Sequence, residues 1–413
     1  MTHDSLAWLF SLADQERGVG WNPRASPDLQ WKLGRTRALL DLAGAPDRQM
    51  RIALVAGTKG KGSTCAMLAS ILSAAGVRCG LYTKPHLQAY RERIRVDGRA
   101  ISSAALGSHL DKLRALATEL PADAGEPTTF EVTTALALEY FASQDCQIGV
   151  IEVGLGGRLD ATNATDPELS VITSISYDHT AILGRTLGAI ASEKAGILRR
   201  GRQALLAEQR PAAMSALHRA CRIVGARCSV VPPLDRDVAL TGMHQRQNAA
   251  LAIAAARTLL PELRTEAIDT GLARIRWPGR FEVVGDVVLD GAHNGASAAA
   301  LAETLRACAR GRSIALVVGI NRDKDARAVL RPLLDLADRV WATQTANNVR
   351  ALPAAELGRL CRRLGAHPVV EPDPGAAIDG ARQSGSLVCV TGSLMLVGQA
   401  RAHLGLPVPE TLW

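Results

Sequence analysis

Short apolar runs rich in Val, Ile and Leu alternate along this chain with longer alanine-rich stretches whose apolar residues recur at helical spacing. The first pattern predicts buried strands and the second amphipathic helices. Strands are expected at 51–56, 78–82, 147–153, 170–175, 203–207 and 228–232. Helices are expected near 64–75, 103–119, 130–142, 186–195, 211–224 and 246–260. Such alternation argues for mainly parallel sheets of the α/β class. The rhythm breaks at Ile275-Arg276-Trp277-Pro278-Gly279-Arg280, where a proline–glycine pair marks the best boundary. It resumes with strands near 286–290, 314–319, 338–343 and 386–391, so a second, smaller unit is expected.

At 413 residues the chain is too long for one typical core and suggests two or three domains. Hydrophobic residues make up 47%, which argues against disorder, and only 3% is aromatic, so Ala, Leu, Val and Ile must build the core. The net charge of +8 favours anionic ligands. Lys and Arg are spread out, without a basic run interleaved with aromatics, so no nucleic-acid partner is expected. The eight cysteines (65, 79, 146, 221, 228, 308, 361, 389) form no C-x-x-C pair. They read as small core residues rather than as a disulfide framework or a zinc site. The first residues, MTHDSLAWLFSLADQERG, carry acids where a signal peptide has bases, and no 18-residue apolar run occurs. A cytoplasmic enzyme without a membrane partner is the expectation.

Residues 51–64, RIALVAGTKGKGST, narrow the chemistry most. A strand-like run breaks into a loop holding Gly57, Thr58, Lys59, Gly60, Lys61 and Gly62, and Ser63 and Thr64 open a helix running to about Gly76. Glycines let the backbone turn sharply and approach a ligand closely, the helix offers free N–H groups to an anion, and a lysine adds a point charge. The loop departs from G-x-x-x-x-G-K-[ST], because Gly62 separates Lys61 from Ser63. Nucleoside-triphosphate binding is nevertheless expected.

In QIGVIEVGLGGRLDATN (147–163), an apolar strand ends in Glu152 and a glycine-rich turn. Ligands of open α/β sheets bind beyond the carboxyl ends of strands, so Glu152 is placed to hold Mg²⁺ against phosphates. The turn lacks the spacing of a dinucleotide fingerprint, while a purely structural role for it stays open. Another strand ends in Asp178-His179-Thr180, which makes His179 a candidate metal ligand. Lys194, in IASEKAGIL, has apolar neighbours that would favour a neutral, reactive amine, unless Glu193 and Lys194 form a solvated helix end. VVLDGAHNGASAAAL (287–301) ends a strand with Asp290, and His293 and Asn294 follow before a helix. A cleft site or simple helix capping would both account for them.

Taken together, these segments resemble folylpolyglutamate synthase/dihydrofolate synthase, a branch of the Mur ligase superfamily. The resemblance runs in order through GTKGKGST, YTKPHLQAYRERI, TTFEVTTALAL, EVGLGGRLDATN, DHTAILG…IASEKAGI, HQRQNAALA, WPGRFE, DGAHN and GSLMLVG. It implies an N-terminal P-loop ATPase domain over 1–278 and a Rossmann-like glutamate-ligase domain over 282–413. It also implies an ATP- and Mg²⁺-dependent ligase, acting on pteroate or folate and L-glutamate through an acyl phosphate, and commonly monomeric. Gly57 to Thr64, Asn248, Arg280 and Asp290 match ATP-binding positions. Ser63, Glu152 and His179 match metal-binding ones, and Lys194 matches a lysine carbamylated by CO₂ to hold a second metal. His293 and Ser393 match positions near the incoming glutamate. Lys84, Pro85, His86, Arg93, Phe130 and Glu131 fall in the pterin-substrate region. The chain departs from the family pattern at Lys59 (usually Asn), Lys84 (usually a metal-ligating Ser) and Gly295 (usually Pro).

Overall fold

The computed structural model describes residues 2–14 and 33–413. Eight strands form the first sheet: β1 (Arg51–Ala56), β2 (Cys79–Tyr82), β3 (Ile94–Val96), β4 (Arg99–Ala100), β5 (Ile148–Glu152), β6 (Leu169–Ile172), β7 (Gln203–Ala207) and β8 (Arg227–Val231). Their spatial order is β4-β3-β2-β5-β1-β6-β7-β8. From β2 to β8 every pairing is parallel, and the hairpin-like β3 and β4 add an antiparallel edge. β1 lies in the middle because Ile52, Leu54 and Ala56 feed one core while Ala53 and Val55 feed the other. Alternating apolar residues buried on both faces are what a central parallel strand requires.

A second sheet comprises β9 (Glu282–Val284), β10 (Val287–Leu289), β11 (Ile314–Val318), β12 (Arg339–Ala342), β13 (Val369–Val370) and β14 (Leu387–Thr391). Its order is β13-β12-β11-β14-β10-β9, parallel except for β9. This sheet too is covered on both faces by separate apolar clusters. The fold is thus the expected α/β class, with a larger and a smaller, mainly parallel sheet.

The long periodic segments lie where the pattern places them. The very short β3, β4, β9 and β13 were not foreseen, because two or three residues carry no readable period. The helix after β1 begins at Lys61 rather than Ser63, since Gly60 takes the left-handed conformation that ends the loop. One reading is corrected: Cys221 and Cys228 are joined as a disulfide. The helix Pro211–Val224 ends at Gly225, whose positive φ turns the chain straight into β8 and brings the two sulfurs together. Cys65, Cys79, Cys146, Cys361 and Cys389 are buried and free, whereas Cys308 is exposed.

The chain's last residues return to the first sheet. Ala100 donates its N–H to the Glu410 carbonyl at 2.9 Å, Thr411 bridges to Arg99, and Leu412 is buried in the first unit's core. Among the described residues no helix is long and apolar enough to cross a membrane.

Candidate active site

The carboxyl ends of β1, β5 and β6 sit level, with Val55 opposite both Glu152 and Val171. The loops leaving them line a cavity of about 550 Å³ whose opposite wall comes from the second sheet's unit. The phosphate loop forms its floor. Gly57 and Gly60 have φ of 152° and 85°, a region that side chains rarely enter. A Cβ at Gly57 would lie 1.8 Å from Thr173 Oγ1, and one at Gly60 would lie 2.1 Å from Asn248 Oδ1. Asn248, buried on the helix His244–Leu259, is itself held by a bond from its Nδ2 to Gln245 Oε1 at 2.9 Å. Gly60 provides no side-chain cap, so the first N–H groups of the helix Lys61–Ala74 open onto the cavity.

Lys61 Nζ stands 3.9 Å from Glu152 Oε1, and the Lys84 N–H donates to Glu152 Oε2 at 3.1 Å. Burial raises the Glu152 carboxyl above its ordinary range, with Lys61 pulling the other way. Lys194 ends the helix Leu187–Ala195 and is buried, not solvated; its Nζ donates to the Gly57 carbonyl at 2.9 Å. Burial, aided by the Lys61 charge, lowers its amine to about 7. A neutral amine is therefore well populated at neutral pH. Glu193 instead meets Arg158 outside, at 3.1 Å.

Asp178 gathers donors from both units. Lys59 Nζ lies 3.3 Å from its Oδ2, Lys324 Nζ 3.0 Å from its Oδ1, and Asn294 Nδ2 2.8 Å from its Oδ2. Burial would raise this carboxyl, but Lys59, His179 and Lys324 together hold it well below the carboxylate range. His179 lies beside Lys324, Nε2 to Nζ 3.4 Å, and burial together with that ammonium lowers the ring to about 4.

Across the cleft, both Asp290 oxygens accept backbone N–H bonds, from Phe281 at 2.8 Å and Ala292 at 2.9 Å. Burial raises this carboxyl, opposed by the neighbouring Arg280. Asn294 caps the helix Gly295–Ala309 by accepting from Ser297 N, while its amide reaches Asp178, so capping and cleft formation coincide. Ser393 is buried at the start of the helix Leu394–His403 and lines the cavity with Arg280 and His293.

Lys84 and Pro85 also line the cavity, and Lys84 Nζ sits 3.8 Å above the Phe130 ring, which stacks on Tyr82. Four other expected substrate residues stand outside its lining: His86, Arg93, Phe130 and Glu131. Arg93 Nε donates to His86 Nδ1 at 3.0 Å. Glu131 is engaged by Arg35 at 2.8 and 2.9 Å and caps Thr128 N at 2.7 Å. The residue missed in the sequence is Lys324. The rule that sites form beyond strand ends would have led to the loop after β11.

Among the described residues no three His, Cys, Asp or Glu side chains gather into a metal-binding group. Glu152 and Ser63 nevertheless line the cavity beside the phosphate loop. Hard oxygens of this kind suit a cation whose remaining ligands are phosphate oxygens and water. The donor set fits a nucleotide-bound divalent cation better than a free-standing metal centre.

An ATPase-type loop facing a second α/β unit across a cavity defines the class, an ATP-using ligase of the Mur type. The Mur ligase middle-domain model matches residues 55–220, and the Mur ligase glutamate-ligase-domain model matches residues 279–394. The chain belongs to the folylpolyglutamate synthase/dihydrofolate synthase family. It is 35% identical over 407 residues to the Bacillus subtilis dihydrofolate synthase/folylpolyglutamate synthase, covering 90% of this chain and 94% of that protein. It is 38% identical over 390 residues to a probable bifunctional folylpolyglutamate synthase/dihydropteroate synthase of Halobacterium salinarum. There it covers 86% of this chain but only 47% of that longer protein. A crystal structure of a bifunctional folylpolyglutamate synthase/dihydrofolate synthase with Mn, AMPPNP and L-glutamate bound superposes with a TM-score of 0.84. That match is 29% identical and covers 98% of both chains.

Proposed function

We propose that this protein joins L-glutamate to dihydropteroate and, through γ-links, to reduced folates at the expense of ATP. The observation that carries the reading is the single cavity on which Lys61, Glu152 and Lys194 of one unit and Asp290, His293 and Ser393 of the other converge. The folate-ligase relatives, and the nucleotide and glutamate in the related structure, support it.

A carboxylate is a poor electrophile at neutral pH. Transfer of the γ-phosphoryl group converts it to an acyl phosphate and releases ADP. The glutamate amine, having lost one proton, attacks the acyl carbon and the C–N bond forms. The C–O bond to phosphate then breaks, inorganic phosphate departs with the electron pair, and a second proton leaves nitrogen. His293 is assigned to orient the incoming glutamate, and the charge of Lys59 and burial keep its ring neutral. Lys61 and the helix N-terminus act on the phosphates, and Arg280, Asn248 and Asp290 are assigned to the nucleotide. A bound divalent cation supplies further positive charge to the phosphate oxygens. Glu152, Ser63 and His179 would hold it, with a carbamylated Lys194 for a second.

Within this reading, residues 1–278 form the ATP-binding unit and 282–413 the glutamate-ligase unit, in a monomeric cytoplasmic enzyme.

Purified protein with ATP, Mg²⁺, glutamate and either dihydropteroate or tetrahydrofolate tests the assignment, with products read by mass spectrometry. The expected product is the acceptor extended by one glutamate with one phosphate released. Turnover only with another acceptor would make it a different Mur-type ligase, and no phosphate release with any acceptor a binding protein.

A further inference from the structure

We propose that Lys59 is a positioning residue for the amino-acid half of the reaction, acting through Asp178 and His293 rather than on the nucleotide. The inference rests on the ligation reading above. Lys59 belongs to the phosphate loop, yet its side chain leaves it and crosses the cleft. Its Nζ lies 3.3 Å from Asp178 Oδ2 and 3.3 Å from His293 Nε2. Lys61, two residues on, turns the other way and faces Glu152. Of the two lysines on this loop, only Lys59 reaches a side chain of the second unit, His293.

The bonding fixes what Lys59 does there. His293 Nδ1 stands 2.8 Å from the Gly291 carbonyl, an oxygen that can only accept. Nδ1 therefore carries the ring proton, and Nε2 turns its lone pair to Lys59. An N–H from Lys59 holds the ring in that orientation. The same Nζ faces Asp178, which also receives Lys324 and Asn294 from the glutamate-side unit. Lys59 is consequently the link from the ATP-binding loop to His293 of the glutamate-side unit and to Asp178, which that unit's Lys324 and Asn294 hold. Burial lowers the Lys59 amine to about 7, opposed by Asp178 and aided by Lys61 and Lys324, and His293 is the other titratable group that faces it. Among these only Asp178 is an acid, so removing Lys59 leaves its carboxylate to Lys324 and Asn294 and leaves the His293 ring held only by its Gly291 bond.

The test uses the full chain and Lys59→Met, which keeps the aliphatic stem and removes the charge. Calorimetry with a non-hydrolysable ATP analogue, and then with glutamate in its presence, reads the two half-sites separately. Kinetics add the ratio of phosphate released to glutamate joined. Analogue affinity should stay within about twofold, while glutamate binding weakens about ten- to a hundredfold, as for loss of a charged hydrogen bond. Phosphate release should exceed ligation, because an acyl phosphate awaiting a misplaced amine is lost to water. A tenfold loss of analogue affinity with unchanged glutamate binding and coupling would overturn the proposal. Should Lys59→Met not fold, Lys59→Gln is read the same way. If the unaltered protein extends no pteridine acceptor, the ligation reading falls, while the two calorimetric titrations still decide for or against Lys59.

Discussion

Replacing Lys194 with methionine should stabilise the fold while nearly abolishing turnover. Lys194 is fully enclosed, and burial lowers its amine from the ordinary 10.5 to about 7. That displacement corresponds to about 5 kcal/mol by which burial disfavours the charged form. Methionine removes the charge but leaves the Gly57 carbonyl without its 2.9 Å donor. An unmade buried hydrogen bond costs about 1–3 kcal/mol. The net expectation is a variant about 2–4 kcal/mol more stable wherever the lysine must be charged.

The sign with pH follows from proton binding. Between about 7 and 10.5 the unfolded lysine holds a proton that the folded one has released, so unaltered protein gains stability as pH rises. The full penalty applies below pH 7, where both states are protonated, and it vanishes above the unfolded value. Urea unfolding at pH 6.5 and 9.5, in CO₂-depleted buffer so that the amine is not carbamylated, measures the difference. The advantage of Lys194→Met should be full at the lower pH and fall to about zero at the higher. A variant less stable at pH 6.5, or a difference independent of pH, would refute the reasoning. Retained ATP-analogue binding with lost ligation is the functional half; full activity of the variant would remove Lys194 from the mechanism.

Gly60→Ala should weaken ATP-analogue binding by at least tenfold, because its Cβ meets Asn248 at 2.1 Å in a left-handed backbone; unchanged affinity by calorimetry would show that the loop adjusts freely. Glu131→Gln should cost about 1.5–3 kcal/mol in urea unfolding by neutralising the carboxylate that buried Arg35 bonds at 2.8 and 2.9 Å. A loss below about 1 kcal/mol with a selectively raised KM for the pteridine would instead place Glu131 on substrate.

Much of the molecule is legible from the chain alone. Runs such as Ile148–Glu152 and Ile314–Val318 announce buried parallel strands because they are apolar on both faces. The break at Pro278-Gly279 announces a change of unit, and the loop from Gly57 to Gly62 announces an anion site. These signals are local: period, turn chemistry and helix-start geometry need only neighbouring residues. What Glu131 does is not local. The family resemblance puts it in a substrate region, while Arg35, 96 residues earlier, bonds its carboxylate. The pairing of Cys221 with Cys228 depended on how sharply Gly225 turns the chain. Lys324 and Asp178 come from loops after different sheets and meet only because the two units face each other. Side-chain period and turn residues determine elements and their order, whereas partner choice across the cleft depends on distances that only tertiary packing sets. The sequence by itself therefore determined the strands, the loop and the chemistry to be expected. The tertiary structure alone decided which charges share a cavity, because burial and proximity, which shift the Lys194 amine and hold the Asp178 carboxylate, do not exist until the units pack.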